Sequence, residues 1–576
     1  MKLDEKLMME DIVGNPNIAD KLTKESLDKI GSDVVTGFDR DLLSRADWEK
    51  RTETSMKLAL QVYEAKSFPW ANASNIKFPL ITIAALQYHA RAYPALIPSD
   101  IPVKCRIIGD DPDNIKSLRA SRVETHMSYQ VMEEDEDWES ETDKVLITQP
   151  IVGCAFKKSY FDPISGHNVS SSVFAKDLVV NYWTKSLDTA PRITHILYYT
   201  NNEIYERVAR GLWIDYPREG NKGTPFKTPL GDAVDRAQGT SQTEATDDTT
   251  PCVYLEQHCT YDLDGDGYEE PYIITVDKNS KKVVRIVARF LSQNIKYDEK
   301  VTKILSITPE KYFTKFPFIP SPDGGFYDLG FGVLLGPLNE SINTTINQLV
   351  DAGTMSNTAG GFMSKGMKVR GGNYSFAPLE WKHVESTGDD LRKNIIPLPV
   401  REPSQVLFTL LSLLINYGER IGMSVDILTG QNPGQNTPAE TSRTMVEQGS
   451  KVFGGIFKRT YRSLREEYRK LYRLNQLYLD ETVEFISDAG GKGVALAEDY
   501  AGPVTDVRPA ADPNVASDSQ RMSQAVAVRQ AAGEVPIYNR YEVEKRFLEA
   551  IRVHDIEKLL PDPAGPDAIK QAPDVK

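Results

Sequence analysis

Cysteine is scarce in this chain. The four cysteines in 576 residues, Cys105, Cys154, Cys252 and Cys259, are too few and too scattered for a disulfide framework. The spacing from Cys252 to Cys259 fits no zinc knuckle, so all four read as buried free thiols. Long apolar runs are missing too. The best candidates, 80–86 and 406–415, fall short of the roughly 18 residues that span a bilayer. The N-terminus MKLDEKLMMEDIVG is acidic and lacks the basic-then-apolar order of a secretory signal. A protein made and kept in a cytoplasm, with no membrane partner, is expected.

Positive charge is also in deficit. Lys and Arg number 68 against 82 Asp and Glu, a net charge of −14. Proteins that grip DNA draw most of their affinity from neutralised phosphates, so this balance argues against tight binding. It permits a protein along which DNA slides. The motifs of a nucleotide-driven engine fail on inspection. DLGFGVLLG holds Gly330 and Gly332, but Gly336 comes one place late for a dinucleotide fingerprint. GFMSKGMK has Gly361 and Gly366, but Met367 stands where a phosphate loop needs lysine. The seven histidines form no HExxH pair, and there is no GxSxG. A protein that is not an enzyme, with no required cofactor, is expected.

What is present is an α+β alternation in a chain long enough for about four domains. The first 40 residues are polar and poorly periodic and read as an arm or peripheral helix. Helical patterns follow over 40–65, with Asp47 as a cap, and over 80–97 and 115–134. The acidic run EEDEDWESETDK carries no assignment. Strand patterns occur at 101–108, 151–161, 169–180 and 193–199, and a short helix at 202–213. Residues 216–251, rich in Gly, Thr, Asp and Pro, read as an extended insertion or flexible loop. Strands then recur at 253–261, 271–276 and 283–290. A helix spans 337–357, with Pro337 in its first turn, an apolar stripe of Leu335, Leu338, Ile342, Ile346 and Leu349, and an uncharged side of Asn339, Asn343, Thr344, Asn347 and Gln348. That uncharged side suits a tight contact with a second copy of the chain. Strands and turns over 361–400 precede a helix over 404–421, and helices are expected near 517–532 and 541–551.

Two constellations carry chemistry. In YDLDGDGYEEPY, Asp262, Asp264 and Asp266 occupy positions 1, 3 and 5 of a calcium-loop pattern, with Gly267, Tyr268 and Glu270 at 6, 7 and 9. Position 12 is Ile273, where a bidentate Glu is needed, and the flanks read as strands. Two readings stay open: a metal-free Asp/Gly hairpin turn, or a weak calcium or magnesium site. The second constellation is TPAETSRTMVEQGSKVFGGIFKRTYRSLREEYRKLYRLNQLYLD. Phe453, Ile456, Phe457, Leu464, Tyr468 and Leu471 recur at helical spacing, and so do Lys458, Arg462, Arg465, Arg469 and Arg473. One helix of about 60 Å thus carries an apolar stripe and a cationic stripe. Such a length suits a large assembly whose layers the helix connects. The cations either face DNA or pair with carboxylates of the same or the next subunit, and with carboxylates in excess and Arg suited to forked pairing, the pairing role is expected for most of them.

Four blocks resemble the portal proteins (head-to-tail connectors) of tailed bacteriophages, of the short-tailed podovirus type. SRADWEKR with FPWANASNIKFPLITIAALQYHARAYPAL is similar to the wing. YDLDGDGYEEPYIITV is similar to the β-rich region between the stem helices, and FGVLLGPLNESINTTINQLVDAG to the stem helix after the clip. The run from NYGERIGMSVDILTG to REEYRKLYRLN is similar to the inner helices that lead to the crown. Together they lie between Ser44 and Asn475.

The resemblance implies a portal-like subunit: wing over 1–200, first stem helix 201–215, β-rich clip 216–327, second stem helix 328–358, wing β segment 359–403, inner helix and tunnel loop 404–436, long helix 437–480, and helical crown with tail 481–576. It implies a dodecamer at one capsid vertex, a non-specific channel for double-stranded DNA during packaging and ejection, and docking of terminase, capsid, scaffolding and tail adaptor proteins. It places the protein in the virion and, during assembly, in the host cytoplasm. Twelve copies carry about −168, which repels DNA unless the walls are locally screened. The rival expectations are a ring scaffold or adaptor that never contacts DNA, and a metal-dependent phosphoryl-transfer enzyme built on the three aspartates.

Overall fold

The computed structural model describes residues 12–62, 70, 73–97, 102–107, 111, 115–217, 228–239, 250–265, 267–298, 304–357, 361–363, 368–369, 384–385, 395–397, 403–422, 439–486, 492–501, 507–509, 518–534, 538–551, 553 and 559–560. Helices and strands are mixed along the chain, an α+β arrangement.

Two antiparallel sheets organise the strands. The larger runs in chain order through Leu178–Val180, Arg192–Tyr199, Cys252–Tyr261, Glu270–Asp277 and Val283–Ala288. Its strands alternate, and Val253, Leu255, Ile274 and Val276 turn one face toward Ile30, Val34 and Phe38 of the helix Lys24–Ser44. That helix begins at Thr23, whose hydroxyl accepts from Ser26 N at 3.3 Å. It belongs to a core rather than to an arm, because Ile30, Val34, Val35 and Phe38 are buried; Gly31, Gly37 and many charges dilute this recurrence in the sequence. The smaller sheet places Cys154–Asp162 between Phe313–Pro317 and His167–Val173.

A helical layer holds the largest core. Leu80–Leu96, Trp138–Val152, Phe331–Asn357 and the second half of Ala439–Tyr478 converge on Tyr88, Trp138, Phe318, Phe331, Leu335 and Tyr468, all fully buried. Strands far apart in the chain meet beside this layer: Val507–Pro509 pairs with Val103–Cys105, and Val103 and Val507 belong to the same core.

Several expectations change. The helical pattern over 40–65 is two helices, Lys24–Ser44 and Ala46–Ala59, broken at Arg45, and Arg45 rather than Asp47 is the cap position. The fully buried Arg45 guanidinium bonds the carbonyls of Ala175, Lys176 and Leu178 and the Glu49 carboxylate, which anchors the break. The acidic run opens the helix Trp138–Val152, whose Trp138, Thr142, Val145 and Leu146 face inward. Part of the supposed insertion is the helix Pro229–Gln238, with Thr228 capping Gly231 N at 3.1 Å and Gly239 closing it at φ +75°. Phe331 and Leu335 pull the next helix into the core six residues before Pro337, which therefore sits inside it. The segment expected to be a helical crown contains the hairpin Thr482–Ile486 with Lys492–Leu496 before its helices Asp518–Glu534 and Arg540–Ala550.

The segment boundaries at 200/201 and 215/216 cut through the five-stranded sheet. Arg192–Tyr199 and Cys252–Tyr261 pair directly, and the nine-residue helix Asn201–Ala209 lies between them in the chain. Strand Phe313–Pro317 likewise joins residues 313–317 to the first 200. The helix over 328–358 is found as Phe331–Asn357, that over 404–421 as Gln405–Ile421 with Ser404 as cap, and the long one as Ala439–Tyr478. The segment expected to be a tunnel loop, beyond Gly422, most of 359–403 and the residues from 561 lie outside the described residues.

Candidate functional site

The glycines of DLGFGVLLG serve close packing. A Cβ on Gly330 would stand 2.4 Å from Ile151 O, and one on Gly332 would stand 2.2 Å from the Ser55 side chain. Both are places where two backbones or a helix and a neighbour touch, which only glycine allows.

The aspartate loop closes the hairpin between Cys252–Tyr261 and Glu270–Asp277, whose last pair is Tyr261 with Glu270. The Asp262 carboxylate accepts from Gly265 N at 2.6 Å and Gly267 N at 3.3 Å, and both glycines have positive φ, +77° and +93°. It does the work of an Asx turn, tying the loop to its own backbone. Leu263 is fully buried in the sheet's core and pins the loop from below. Glu270 is buried and accepts from Tyr272 Oη at 3.3 Å; burial, then Glu270, push the Tyr272 phenol far up. Tyr268 Oη accepts from Ile307 N at 3.1 Å. Asp266 lies outside the described residues. Among the described residues no group of three or more His, Cys, Asp or Glu side chains is placed to hold a metal ion.

The long helix is the more informative candidate. From Ile456 onward one face is locked into the core by Ile456, Leu464, Tyr468 and Leu471. Phe457 is partly buried against the same core, and the side chain of Phe453 lies outside those described. Thr460, which interrupts the apolar stripe, is buried: its hydroxyl lies 3.4 Å from Tyr88 Oη and 3.2 Å from Gln149 Nε2. Glu467 lies within the stripe as well. Lys157 Nζ stands 2.7 Å from its Oε1, with both side chains fully buried. Trp138 Nε1 and Ser170 Oγ donate to the same oxygen at 2.8 and 2.7 Å, and Lys157 also donates to Thr142 Oγ1 at 2.8 Å. Farther on, Asn475 accepts from Asn168 and donates to Gln130, both at 2.6 Å. Gln130 opens the π-turn Gln130–Glu134, so the helix reads the one irregular turn of its neighbour through an amide chain. These contacts were missed from sequence; a lone Glu467 between Leu464, Tyr468 and Leu471 was the available signal.

The cationic stripe occupies the opposite edge. Lys458 and Arg462 are exposed, and Arg465, Arg469 and Arg473 are half-buried. Arg473 pairs with Glu310 at 3.0 Å within the chain. Among the described residues Lys458, Arg462 and Arg465 make no ion pair, and Arg465 Nε is buried without a hydrogen-bond partner. Burial, and then Arg465 beside it, lower the Arg469 guanidinium from its ordinary value. The neighbouring basic residues are used internally: Arg459 donates to Phe318 O at 2.7 Å, and Lys470 to Thr314 Oγ1 at 2.6 Å, with burial pushing Lys470 down to about 8. Pairing within the chain thus accounts for Arg473 and leaves Lys458, Arg462 and Arg465 without an ion pair among the described residues.

The uncharged side of Phe331–Asn357 has an internal partner. Asn343 Oδ1 accepts from Phe78 N at 2.7 Å, Asn347 Oδ1 from Ile76 N at 2.7 Å and Ser74 Oγ at 2.8 Å, and Asp351 from Ser74 N at 2.7 Å. One turn apart, these side chains hold the extended segment 74–78 as a strand edge would. Asn343 and Asn347 are thus committed within the chain, whereas Thr344 and Gln348 of the same side remain exposed.

No protein-family model matches the chain, and no curated protein matches it.

Proposed function

We propose that the chain is the subunit of a phage portal: a ring, of twelve copies, at one capsid vertex, through whose axis double-stranded DNA is packaged and ejected. The observation that carries this reading is the long helix Ala439–Tyr478. Its second half is bolted into the subunit by a buried ion pair and an amide chain, while its outer edge keeps Lys458, Arg462 and Arg465 without ion pairs among the described residues. The Arg465 guanidinium, half-buried with its Nε unpartnered, is costly in an isolated chain and becomes favourable where a second molecule supplies the anion, and the exposed Lys458 and Arg462 lie on the same edge. The four blocks similar to portal proteins, in portal order, add a direction: the partners are neighbouring subunits first, and DNA in the channel second. Terminase, capsid, scaffolding and tail adaptor proteins dock on such a ring, and the ring hydrolyses nothing itself.

Light scattering at micromolar concentration over several salt concentrations tests this. A discrete large oligomer is expected, and a monodisperse monomer under every condition would overturn the proposal.

A further inference from the structure

The helix Gln405–Ile421 is charge-free from Gln405 to Gly418 and yet half in solvent. Its inner face is tight: Leu411, Leu414 and Ile415 pack on the helical core, and a Cβ on Gly418 would stand 2.8 Å from Leu80. Its outer face carries Val406, Leu410, Leu413, Tyr417 and Ile421 at spacings of four, three, four and four, with Phe408 beside them. All six are exposed, Val406 at 73% and the others at 41–49%. Large apolar residues present about 200 Å² each, so the stripe exposes on the order of 600 Å². That is at the upper end for the largest apolar patch of a monomer, and most of the roughly 800 Å² that each partner contributes to a stable interface.

The polar residues between them narrow the choice of occupant. Thr409, Ser412 and Asn416 donate back to their own helix, to Gln405 O at 3.2 Å, Phe408 O at 3.1 Å and Ser412 O at 2.9 Å. The face therefore offers little to a polar or phosphate-bearing partner. Helices that lie on lipid carry Lys or Arg along the polar flank, and this one has none before Arg420, in a chain of net charge −14. The same chain does present a second uncharged, exposed apolar face, at Ile83 and Leu86 of Leu80–Leu96, so a copy of itself can supply an apolar counterpart. We infer that the stripe Val406–Leu410–Leu413–Tyr417–Ile421 is covered by a neighbouring copy of this chain, an inference that rests on the ring reading and names the surface that closes it.

The test uses full-length protein carrying Leu410→Glu and Leu413→Glu, with Leu118→Glu, another exposed leucine on a different helix, as control. Sedimentation velocity should show the wild type and the control assembled, and the double variant at least 100-fold weaker in association with an unchanged far-ultraviolet spectrum. As a second readout, Leu413→Cys labelled with a polarity-sensitive dye should shift to the blue as concentration drives assembly. A double variant that assembles like the wild type, or a dye that does not shift on assembly, overturns this inference and leaves the ring reading standing. A wild type that stays monomeric overturns both. Flotation of the wild type, but not the double variant, with phosphatidylcholine–phosphatidylglycerol vesicles would assign the stripe to lipid and also overturn it.

Discussion

Asn347 faces Ile76 as one strand residue faces another: its Oδ1 accepts from Ile76 N at 2.7 Å and its Nδ2 donates to Ile76 O at 3.1 Å. A side-chain amide on a helix thus completes the backbone of an extended segment that has no strand beside it. Replacing Asn347 with Ala removes both bonds and the one from Ser74 Oγ, and should cost about 2 kcal/mol of stability. Asn347→Asp keeps the acceptor, loses the donor and should cost less. Urea denaturation checks the order; an Ala variant as stable as the wild type would show the pairing to be incidental.

The Lys157–Glu467 pair is buried and shares its carboxylate with Trp138 and Ser170. Lys157→Met alone leaves a buried carboxylate without its cation and should destabilise by about 3–5 kcal/mol. Lys157→Met with Glu467→Gln should recover much of that loss. Thermal unfolding of the two variants separates an uncompensated charge from a simple packing defect, because a packing defect would leave the double variant no better than the single.

Acid should weaken the subunit before its carboxylates protonate. Burial pushes His126 and His258 down to about 4 and His195 to about 3. These rings are neutral when folded and charge when unfolded, near pH 6.5. Their contribution is complete above pH 6.5 and is lost as pH falls toward 4, at up to about 1.4 kcal/mol per pH unit for each. Burial also raises Asp135 and Asp177, which act in the opposite sense and lower in pH. Denaturation midpoints at pH 7, 6 and 5 should fall in that order, with a shallower fall in His126→Gln. A flat profile contradicts the burial of these rings.

The aspartate loop is expected to need no metal for its fold, since Asp262 already spends both oxygens on Gly265 and Gly267. Removing divalent ions with a chelator should leave the melting temperature unchanged, whereas Asp262→Ala should cost about 1 kcal/mol. Asp264→Asn with Asp266→Asn should leave assembly intact. A melting temperature that rises with millimolar calcium would instead show a bound ion stabilising the folded state.

Replacing Arg462, Arg465 and Arg469 with Gln should weaken assembly and its salt dependence while leaving the subunit folded. Rings that form normally yet fail to package or retain DNA would assign the stripe to the channel wall.

Much of this was legible in the sequence where one signal dominated. Helical periodicity from Phe453 to Arg473 pointed to the long helix, found as Ala439–Tyr478, Ser404 marked the start of its predecessor, and a hairpin turn was one of the two readings of DLDGDG. The helix Pro229–Gln238 was hidden by Gly- and Thr-rich surroundings, although Thr228, Pro229 and Gly239 are proper start and stop residues. Partners far apart in sequence were out of reach. Nothing local says that Val103 pairs with Pro509, that Glu467 meets Lys157, or that Asn343 and Asn347 are spent on residues 76–78 rather than on a second copy. Which members of the cationic stripe find a partner within the chain depends on tertiary neighbours such as Glu310.

Electron microscopy of the purified full-length protein tests the central claim most directly. The account predicts class averages of closed rings, twelve-fold in end view, with an axial channel wide enough for a DNA duplex. Fields of single compact particles, or closed oligomers without a channel, would contradict it.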